Sequence, residues 1–244
     1  MLAKKEIRFA KRIKPEMSTS KNSPGEEIIL SYHDCLLRRD DVDLLRGPHW
    51  LNDAIIGFYL EYLEHTLDDT EDKTGDDVLY VSPEMTQLLK LARSSEYPAL
   101  MDSLNAKERN YIFFPLNNCD SRVAAGGSHW SLLVVSRKEK NVFHLDSCRA
   151  TNRSVAVKFA NRLMDYLWGY GKQDLVELKC PQQENGYDCG LFTLCFADAL
   201  TQHIRRKPEI AECNFDGVKS IVGIKRKELL HLIEQLKSDG EKGR

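Results

Sequence analysis

The stretch that decides the fold lies late in the chain, where residues 181–192 read PQQENGYDCGLF. A polar, turn-forming segment ends at Cys189, and an almost wholly apolar run follows from Leu191 to Leu200. This pattern predicts a loop that delivers a thiol to the first turn of a buried helix at Cys189–Ile204. There the sulfur meets unpaired backbone N–H groups and the positive end of the helix dipole, and both favour the thiolate.

Two upstream segments supply groups that could activate this thiol. His129 precedes a predicted strand at 130–136, and Asp146 ends the predicted partner strand at 141–146. The charged turn between the strands places position 129 opposite position 148, so Asp146 becomes a diagonal neighbour of His129. A carboxylate there can hold one imidazole nitrogen protonated and aim the other at Cys189. The sequence therefore predicts a nucleophile, a base and a residue that orients the base.

Attack on an acyl carbon also requires hydrogen-bond donors for the developing oxyanion, and two candidates are present. One is the backbone N–H of Cys189, and the other is the side-chain amide of Gln183; loss of one such donor typically raises the barrier by about 3 kcal/mol. Each residue also has a structural interpretation. His129 can be a core histidine, Cys189 an inert buried thiol, Asp146 a loop cap and Gln183 plain loop.

Composition excludes several classes of function. The chain has 244 residues, a net charge of −2 and 42% hydrophobic residues, which suits one domain of about 200 residues with tails, or two small domains. A net charge this close to zero does not indicate binding to nucleic acid or to a membrane surface. No apolar run reaches the roughly 18 residues of a membrane span, and the amino terminus lacks the apolar region of a secretory signal. We expect a monomer.

The cysteines favour an intracellular protein. There are seven, an odd number, and no C-x-x-C pair occurs, which argues against a disulfide framework or a four-cysteine zinc site. Free thiols are typical of the cytoplasm and nucleus. The sequence has no metal-ligand spacing and no phosphate-cradling loop, so it predicts neither a metal nor a cofactor.

The chain organisation predicts one α+β domain at 28–237. Residues 1–27 are predicted to be a disordered basic extension, with a nuclear-import or targeting segment as the alternative, and 238–244 a disordered tail. Residues 64–77 are predicted to be a mobile acidic loop, which could attract a basic substrate face or simply be solvated. Strands cluster in the middle with helices at both ends, which is typical of α+β proteins. The remaining predicted strands are 78–81, 111–115 and 174–178. Two further helices are predicted to start at 52–53 and at 83, and two more are predicted at 155–168 and 225–237.

Four segments resemble one family. Residues 181–190 resemble the active-site segment of the ubiquitin-like-protein-specific (sentrin-specific) cysteine proteases. The family's other signature segments are matched, in the family's order, by WLND at 50–53, HW at 129–130 and LDS at 145–147. The resemblance covers about 28–237. It implies a papain-like cysteine protease fold in which a central, mostly antiparallel sheet packs between helices and the histidine and aspartate precede the cysteine.

The resemblance also implies roles for individual residues. Cys189 would be the nucleophile, His129 the general base, Asp146 its orienting partner and Gln183 the oxyanion donor. The substrate-binding residues would be Trp50, Asp53 and Trp130.

The two tryptophans would flank a narrow tunnel for a terminal Gly-Gly, because flat rings can enclose a glycine backbone and reject side chains. Their alternative is core packing, and Asp53 could instead cap the helix that starts there, as could Asn52.

One stretch points to a subgroup. Residues 123–134, VAAGGSHWSLLV, resemble the deneddylating branch, which implies the ubiquitin-like protein of neddylation and its conjugates as partner. The expected activity is cleavage after the terminal Gly-Gly of this modifier, from a precursor or from a lysine side chain. SUMO as the modifier, a non-catalytic module that only binds the modifier, and an acyltransferase remain as alternatives.

Overall fold

The computed structural model describes residues 24–68, 77–121, 126–169 and 175–242. Most of the basic extension, the centre of the acidic loop and part of the approach to His129 therefore lie outside the described residues. The helices and strands of the described part, short 3-10 turns aside, are, in chain order, β1 (Ile28–Tyr32), β2 (Cys35–Arg38), α1 (Arg39–Asp43), α2 (Asp53–Asp68), β3 (Val78–Tyr80), α3 (Pro83–Leu91), α4 (Tyr97–Met101), β4 (Tyr111–Asn117), β5 (Trp130–Ser136), β6 (Asn141–Leu145), α5 (Arg153–Trp168), β7 (Val176–Glu177), α6 (Cys189–Ile204) and α7 (Val218–Lys242).

Five strands form the central sheet in the order β3-β4-β5-β6-β7. The three long strands β4, β5 and β6 are antiparallel, whereas the short edge strands β3 and β7 each pair in parallel. The register pairs Leu132 with Leu145 and Ser136 with Asn141. Continued beyond the strand ends, it sets position 129 opposite position 148, as the hairpin prediction requires.

Helices cover both faces of this sheet, so the α+β prediction is confirmed. Alternate strand residues enter two separate cores: Phe113 and Val134 pack with α2 and α6, whereas Phe114 and Val135 pack with α3 and α5. Helix α6 is the most enclosed element, because 12 of its 16 residues are buried. Its bounds are those predicted from the apolar run that follows Cys189.

Local capping signals set two helix starts. The Ser82 hydroxyl accepts the N–H of Met85 at 3.2 Å and caps α3. For α2, the side-chain oxygen of Asn52 accepts the N–H of Ile55 at 3.2 Å. Of the two predicted caps, Asn52 is therefore the cap, and Asp53 is the first helical residue.

Several boundaries differ from the predictions. Helix α7 continues to Lys242, so residues 238–242 are helical rather than a disordered tail; the apolar stripe that guided the prediction stops at Leu236, although the backbone ladder does not. Residues 64–68, assigned to the acidic loop, complete α2, where Leu67 is buried. Of the strand predicted at 174–178, the described residues 175–178 form only Val176–Glu177.

Three further findings concern the first hairpin, the cysteines and membrane-crossing helices. The hairpin β1–β2 was not predicted, because each of its strands has only one buried residue and so carries little apolar pattern. All seven cysteines are free thiols, as predicted. In the described ranges no helix combines the length and apolarity needed to cross a membrane.

Candidate active site

Cys189 is the first residue of α6 and is only 2% exposed. The loop before it is turned by Asn185, whose side-chain oxygen accepts the N–H groups of Tyr187 at 3.1 Å and Asp188 at 3.0 Å. Gly190 follows, and a Cβ built there would lie 2.9 Å from Cβ of Leu51. The glycine therefore allows the chain around Leu51 to pack directly on the first turn of α6.

His129 and Asp146 form a buried pair at the open end of the β5–β6 hairpin. Nε2 of His129 lies 2.6 Å from Oδ1 of Asp146. The carboxylate also accepts the backbone N–H groups of Cys148 and Asn152, each at 2.8 Å. Burial opposes ionisation of Asp146, but the bonds from the imidazole and from the two N–H groups hold its pKa below the ordinary value.

The thiol of Cys189 also acts on the same imidazole. With Nε2 engaged by Asp146, Nδ1 is the nitrogen left to interact with that thiol. Burial alone would lower the pKa of His129, but the interactions with Asp146 and Cys189 outweigh it and raise the pKa to about 9. The imidazole is thus protonated at neutral pH, which is the charge state that stabilises a neighbouring thiolate.

The backbone just before His129 is fixed by a side-chain clamp and a glycine. Oδ1 of Asn118 accepts the N–H of Ser128 at 2.7 Å and of His129 at 3.3 Å. Gly127 has φ +85°, and a Cβ there would lie 1.8 Å from Oδ1 of Asn117. Both the conformation and the close approach require glycine at this position.

Replacing Gly127 by alanine is therefore expected to lower activity as well as stability. We expect a stability loss of about 1–3 kcal/mol from the strained backbone, and a fall in kcat because Ser128 and His129 move away from the thiol. Gly169→Ala is the matched control, since Gly169 also has positive φ (+73°) but nothing within 4 Å of a built Cβ. Urea unfolding and steady-state kinetics check this; an equal loss of kcat in both variants would contradict it.

Asn152, which was not predicted from the sequence, holds the His129–Asp146 pair in place through hydrogen bonds. Its side chain is fully buried, and Nδ2 lies 2.9 Å from Oγ of Ser131, 3.1 Å from the carbonyl of Leu116 and 3.3 Å from that of His129. Its backbone N–H binds Asp146, as noted above. Asn152 thus joins the carboxylate to the strand that carries the imidazole.

Asn152→Ala should disturb both stability and geometry. The substitution leaves buried oxygens without a donor, which costs about 1–3 kcal/mol, and it frees the backbone of His129, so kcat should fall about tenfold at nearly unchanged KM. Asn161→Ala, on the same helix and half-buried, is the control expected to change neither. Thermal unfolding and kinetics test this, and a variant with lower stability but full kcat would remove Asn152 from a positioning role.

Gln183 lies against the same framework. Oε1 of Gln183 accepts the hydroxyl of Ser147 at 2.8 Å, and its backbone N–H donates to the carbonyl of Ser147 at 2.8 Å. Nε2 donates to the carbonyl of Asn185 at 2.7 Å. This amide nitrogen carries two hydrogens, so the second is the group that could meet an oxyanion.

The predicted substrate-binding residues occupy three different environments. Trp50 is 51% exposed, and its indole N–H donates to the carbonyl of Gly186 in the loop before Cys189, at 2.6 Å. Trp130 is buried, and its indole N–H donates to the carbonyl of Leu51 at 3.0 Å. Asp53 is exposed and lines a surface depression that also contains residues of β2 and α3.

Arg226 is a second residue that sequence reasoning missed. From α7 its guanidinium donates to Asp188 at 2.9 Å and to the carbonyls of Leu44 and His49 at 2.8 and 2.7 Å. It thereby ties the residue before Cys189 to the segment that leads to Trp50. The three groups that accept hydrogen bonds from Arg226 are distant from it in sequence, so no local sequence pattern indicates that this residue supports the site.

A thiol at the start of a central helix, beside a histidine and an aspartate from the adjacent sheet, defines the papain-like class of thiol proteases. Residues 49–229 match the family described as "Ulp1 protease family, C-terminal catalytic domain". The chain belongs to this family, and it is a cysteine peptidase.

Curated relatives agree with this assignment. The chain is 41% identical over 187 residues to mouse (Mus musculus) sentrin-specific protease 8, covering 75% of this chain and 83% of the relative. It is 32% identical over 229 residues to NEDD8-specific protease 1 of Arabidopsis thaliana, covering 89% and 97%. The deneddylating resemblance noted from residues 123–134 agrees with these relatives.

Solved structures confirm the fold. The C-terminal Ulp1 protease domain in complex with Smt3, the yeast ortholog of SUMO, superposes with a TM-score of 0.67 at 22% identity, covering 88% of this chain and 90% of that one. A second structure, Xanthomonas campestris effector protein XopD bound to ubiquitin, has a TM-score of 0.56 at 20% identity, covering 76% and 92%.

Proposed function

We propose that this protein hydrolyses the bond that follows the carboxy-terminal Gly-Gly of the ubiquitin-like modifier NEDD8. The bond is either a peptide bond in a modifier precursor or an isopeptide bond to a lysine of a conjugate. The observation that carries the proposal is the buried His129–Asp146 pair, 2.6 Å apart, together with Cys189 at the start of α6, whose thiol contributes to the raised pKa of His129. The Arabidopsis relative named NEDD8-specific protease 1, matched over 97% of its length, supports the choice of modifier.

The proposed reaction uses side chains and water. The Cys189 thiolate attacks the glycine carbonyl, and the backbone N–H of Cys189 and the amide of Gln183 stabilise the oxyanion. The imidazolium of His129 then gives its proton to the leaving amine as the carbon–nitrogen bond breaks, which leaves a thioester. His129 next takes a proton from water, the hydroxide attacks the thioester, and the modifier leaves with a carboxylate end while the Cys189 thiolate is restored.

We assign recognition of the Gly-Gly tail to the tryptophans. Trp50 is exposed, and its indole N–H binds the carbonyl of Gly186 in the loop before Cys189. Trp130 is buried, and its indole N–H binds the carbonyl of Leu51, the residue that follows Trp50. An extended glycine backbone can pass between such rings, whereas a side chain cannot. Asp53 offers an exposed carboxylate to a basic residue of the modifier. The enzyme is proposed to act as a monomer in the cytoplasm or nucleus, which light scattering and imaging of the tagged protein would test.

A modifier that carries a carboxy-terminal electrophile tests the nucleophile directly. We expect NEDD8-vinyl sulfone to form one covalent adduct with the wild-type protein and none with Cys189→Ala. Cys195→Ala is the matched control, because Cys195 is equally buried in the same helix and should leave the adduct intact. Adduct formation by Cys189→Ala, or its absence in the wild type, would sink the assignment.

A panel of fluorogenic conjugates tests the modifier. We expect kcat/KM for NEDD8 to exceed the values for SUMO and ubiquitin by at least about 100-fold, because specificity is a difference between transition-state affinities. A higher kcat/KM for the SUMO conjugate than for the NEDD8 conjugate would contradict the proposal and indicate SUMO as the substrate. Tight binding of NEDD8 with no turnover would instead indicate a binding module, and transfer of an acyl group from a small thioester would indicate an acyltransferase.

The pH dependence of thiol reactivity is a further prediction. Since the pKa of His129 is raised to about 9, the imidazolium persists through neutral pH and loses its proton near pH 9. Because a protonated imidazole favours a neighbouring thiolate, alkylation of Cys189 by iodoacetamide at about pH 7 should be at least about tenfold faster in the wild type than in His129→Gln. Mass spectrometry of the peptide that contains Cys189 measures this, and equal rates in the two proteins would contradict the ion pair.

A further inference from the structure

A second cluster of reactive side chains lies where the β1–β2 turn packs on α2. His33 comes from the turn, and Glu61 and His65 come from the helix. One nitrogen or oxygen atom of each residue lies within 4.8 Å of those of the other two. The two imidazole rings stack with their centroids 3.4 Å apart and their planes at 15°. Nothing in the proposed proteolysis uses these residues.

The backbone brings the cluster together in two ways. Glu61 and His65 are four residues apart on a helix, so they share one face. His33 has φ +46°, a left-handed conformation that is uncommon for a residue with a side chain. Glu61 holds the turn in place, since its carboxylate accepts the N–H of Asp34 at 2.7 Å and the thiol of Cys35 at 2.8 Å.

We propose that His33, Glu61 and His65 bind a divalent transition metal of the zinc type, with Cys35 as the fourth ligand. Imidazole nitrogen, carboxylate oxygen and cysteine sulfur are the ligands that zinc takes in tetrahedral sites. His33, Glu61 and His65 already bring their ligand atoms together, and the Cys35 thiol, which starts β2 and lies 2.8 Å from the Glu61 carboxylate, joins the set by turning toward the ion. One carboxylate and one thiolate balance its charge of two, and the thiol gives its proton to solvent as the metal–sulfur bond forms.

The surroundings favour a cation at this place. Glu61, His65 and Cys35 lie at the wall of a depression of about 660 Å³. Its wall also carries four further carboxylates, contributed by Asp34, Asp53, Glu64 and Glu84. Their combined potential raises the local concentration of cations. Calcium and magnesium prefer all-oxygen ligands, whereas the two nitrogens and the sulfur select a softer metal.

No metal site was predicted from the sequence, because metal motifs are recognised by ligands at short spacing. Between the pairs 33/35 and 61/65 lie the rest of β2, α1 and the first half of α2, and only the packing of the hairpin on α2 brings the pairs together. Each pair alone is an ordinary surface pattern.

Zinc titration of the chelator-treated full chain tests the proposal. A thiolate beside a histidine could itself bind zinc, so the parent protein is Cys189→Ala. By calorimetry we expect one equivalent of Zn²⁺ to bind, and the affinity to fall at least about 100-fold in His33→Ala and in His65→Ala. His231→Ala, an exposed histidine of α7, is the matched control and should bind as the parent does. Binding that survives both His33→Ala and His65→Ala would overturn the site.

Cobalt substitution tests the sulfur ligand. The Co²⁺ complex of the parent should show a thiolate-to-metal charge-transfer band and the visible bands of a tetrahedral ion, and Cys35→Ser should abolish the former. A complex without the charge-transfer band in the parent would overturn the four-ligand set. Loss of fold is monitored separately: the metal-free variants should unfold at the temperature of the parent, whereas Zn²⁺ should raise that temperature only in the parent and in His231→Ala.

Discussion

Cys189→Ala is expected to lower kcat/KM for cleavage after the Gly-Gly of NEDD8 by about 10⁴-fold or more, because loss of the proposed nucleophile removes the covalent route entirely. Its affinity for the intact modifier should change little, since a buried thiol that is 2% exposed offers the tail hardly any surface. Single-turnover hydrolysis and a binding titration of the same preparation separate the two effects.

Cys195→Ala serves as the control for this experiment. Cys195 lies on the same helix, is 1% exposed, and burial raises the pKa of its thiol to about 12, so it should not react. We expect near-normal turnover from Cys195→Ala. Turnover of more than about one per cent in Cys189→Ala would contradict covalent catalysis by this thiol.

Asp146→Asn is the second change with a large expected effect. The amide keeps the shape of the carboxylate but loses its charge, so the pKa of His129 should fall from about 9 toward its ordinary 6.5. A carboxylate-to-amide change beside a catalytic histidine can cost about 10⁴-fold through the wrong tautomer, and we expect a loss of about 10²–10⁴-fold in kcat. The alkaline limb of the pH–rate profile should move to lower pH.

The same variant gives a stability readout with a defined sign. The folded-state pKa of His129 lies above its ordinary value, so the pairing stabilises the fold below about pH 6.5 and the contribution is lost as pH rises through about 9. The free energy of unfolding should therefore drop more on Asp146→Asn at about pH 6 than at about pH 10. An equal drop at both values would contradict the ion pair.

Glu177→Gln is the matched control for Asp146→Asn. It removes another carboxylate that pairs with a buried histidine, His144, at 2.9 Å. That pair joins β6 to β7, and it reaches the site only through Ser131, which lies 3.0 Å from Nε2 of His144 and also binds Asn152. We therefore expect a change in stability and a much smaller loss of kcat than in Asp146→Asn.

Much of the fold could be predicted because its signals are local. The bounds of α6 follow from an apolar run that begins at one cysteine, and the register of β5 with β6 follows from the length of the turn between them. The apolar periodicity no longer marks a helix once its apolar residues end. For this reason the carboxyl end of α7 and the last turn of α2 were predicted wrongly. Strands β1 and β2 were missed because each has a single buried residue, whereas the equally short β3 and β6 are almost wholly buried and read as apolar runs.

The site divides in the same way. The family resemblance singled out Cys189, His129, Asp146 and Gln183, because those residues stand in specific short motifs. It did not reach the residues that hold them. Asn152, Asn118 and Arg226 act on backbone carbonyls and N–H groups, and a backbone group has the same identity at every position of a sequence.

The sequence by itself thus determined where the thiol, imidazole and carboxylate stand along the chain and which elements carry them. Only the tertiary structure decided their protonation and their support, because the pKa of His129 depends on burial and on two partners 17 and 60 positions away. The cluster of His33, Glu61 and His65 is of the same kind. Its three side chains come within reach of one ion only because the β1–β2 hairpin packs on α2, and no single segment of the sequence determines that packing.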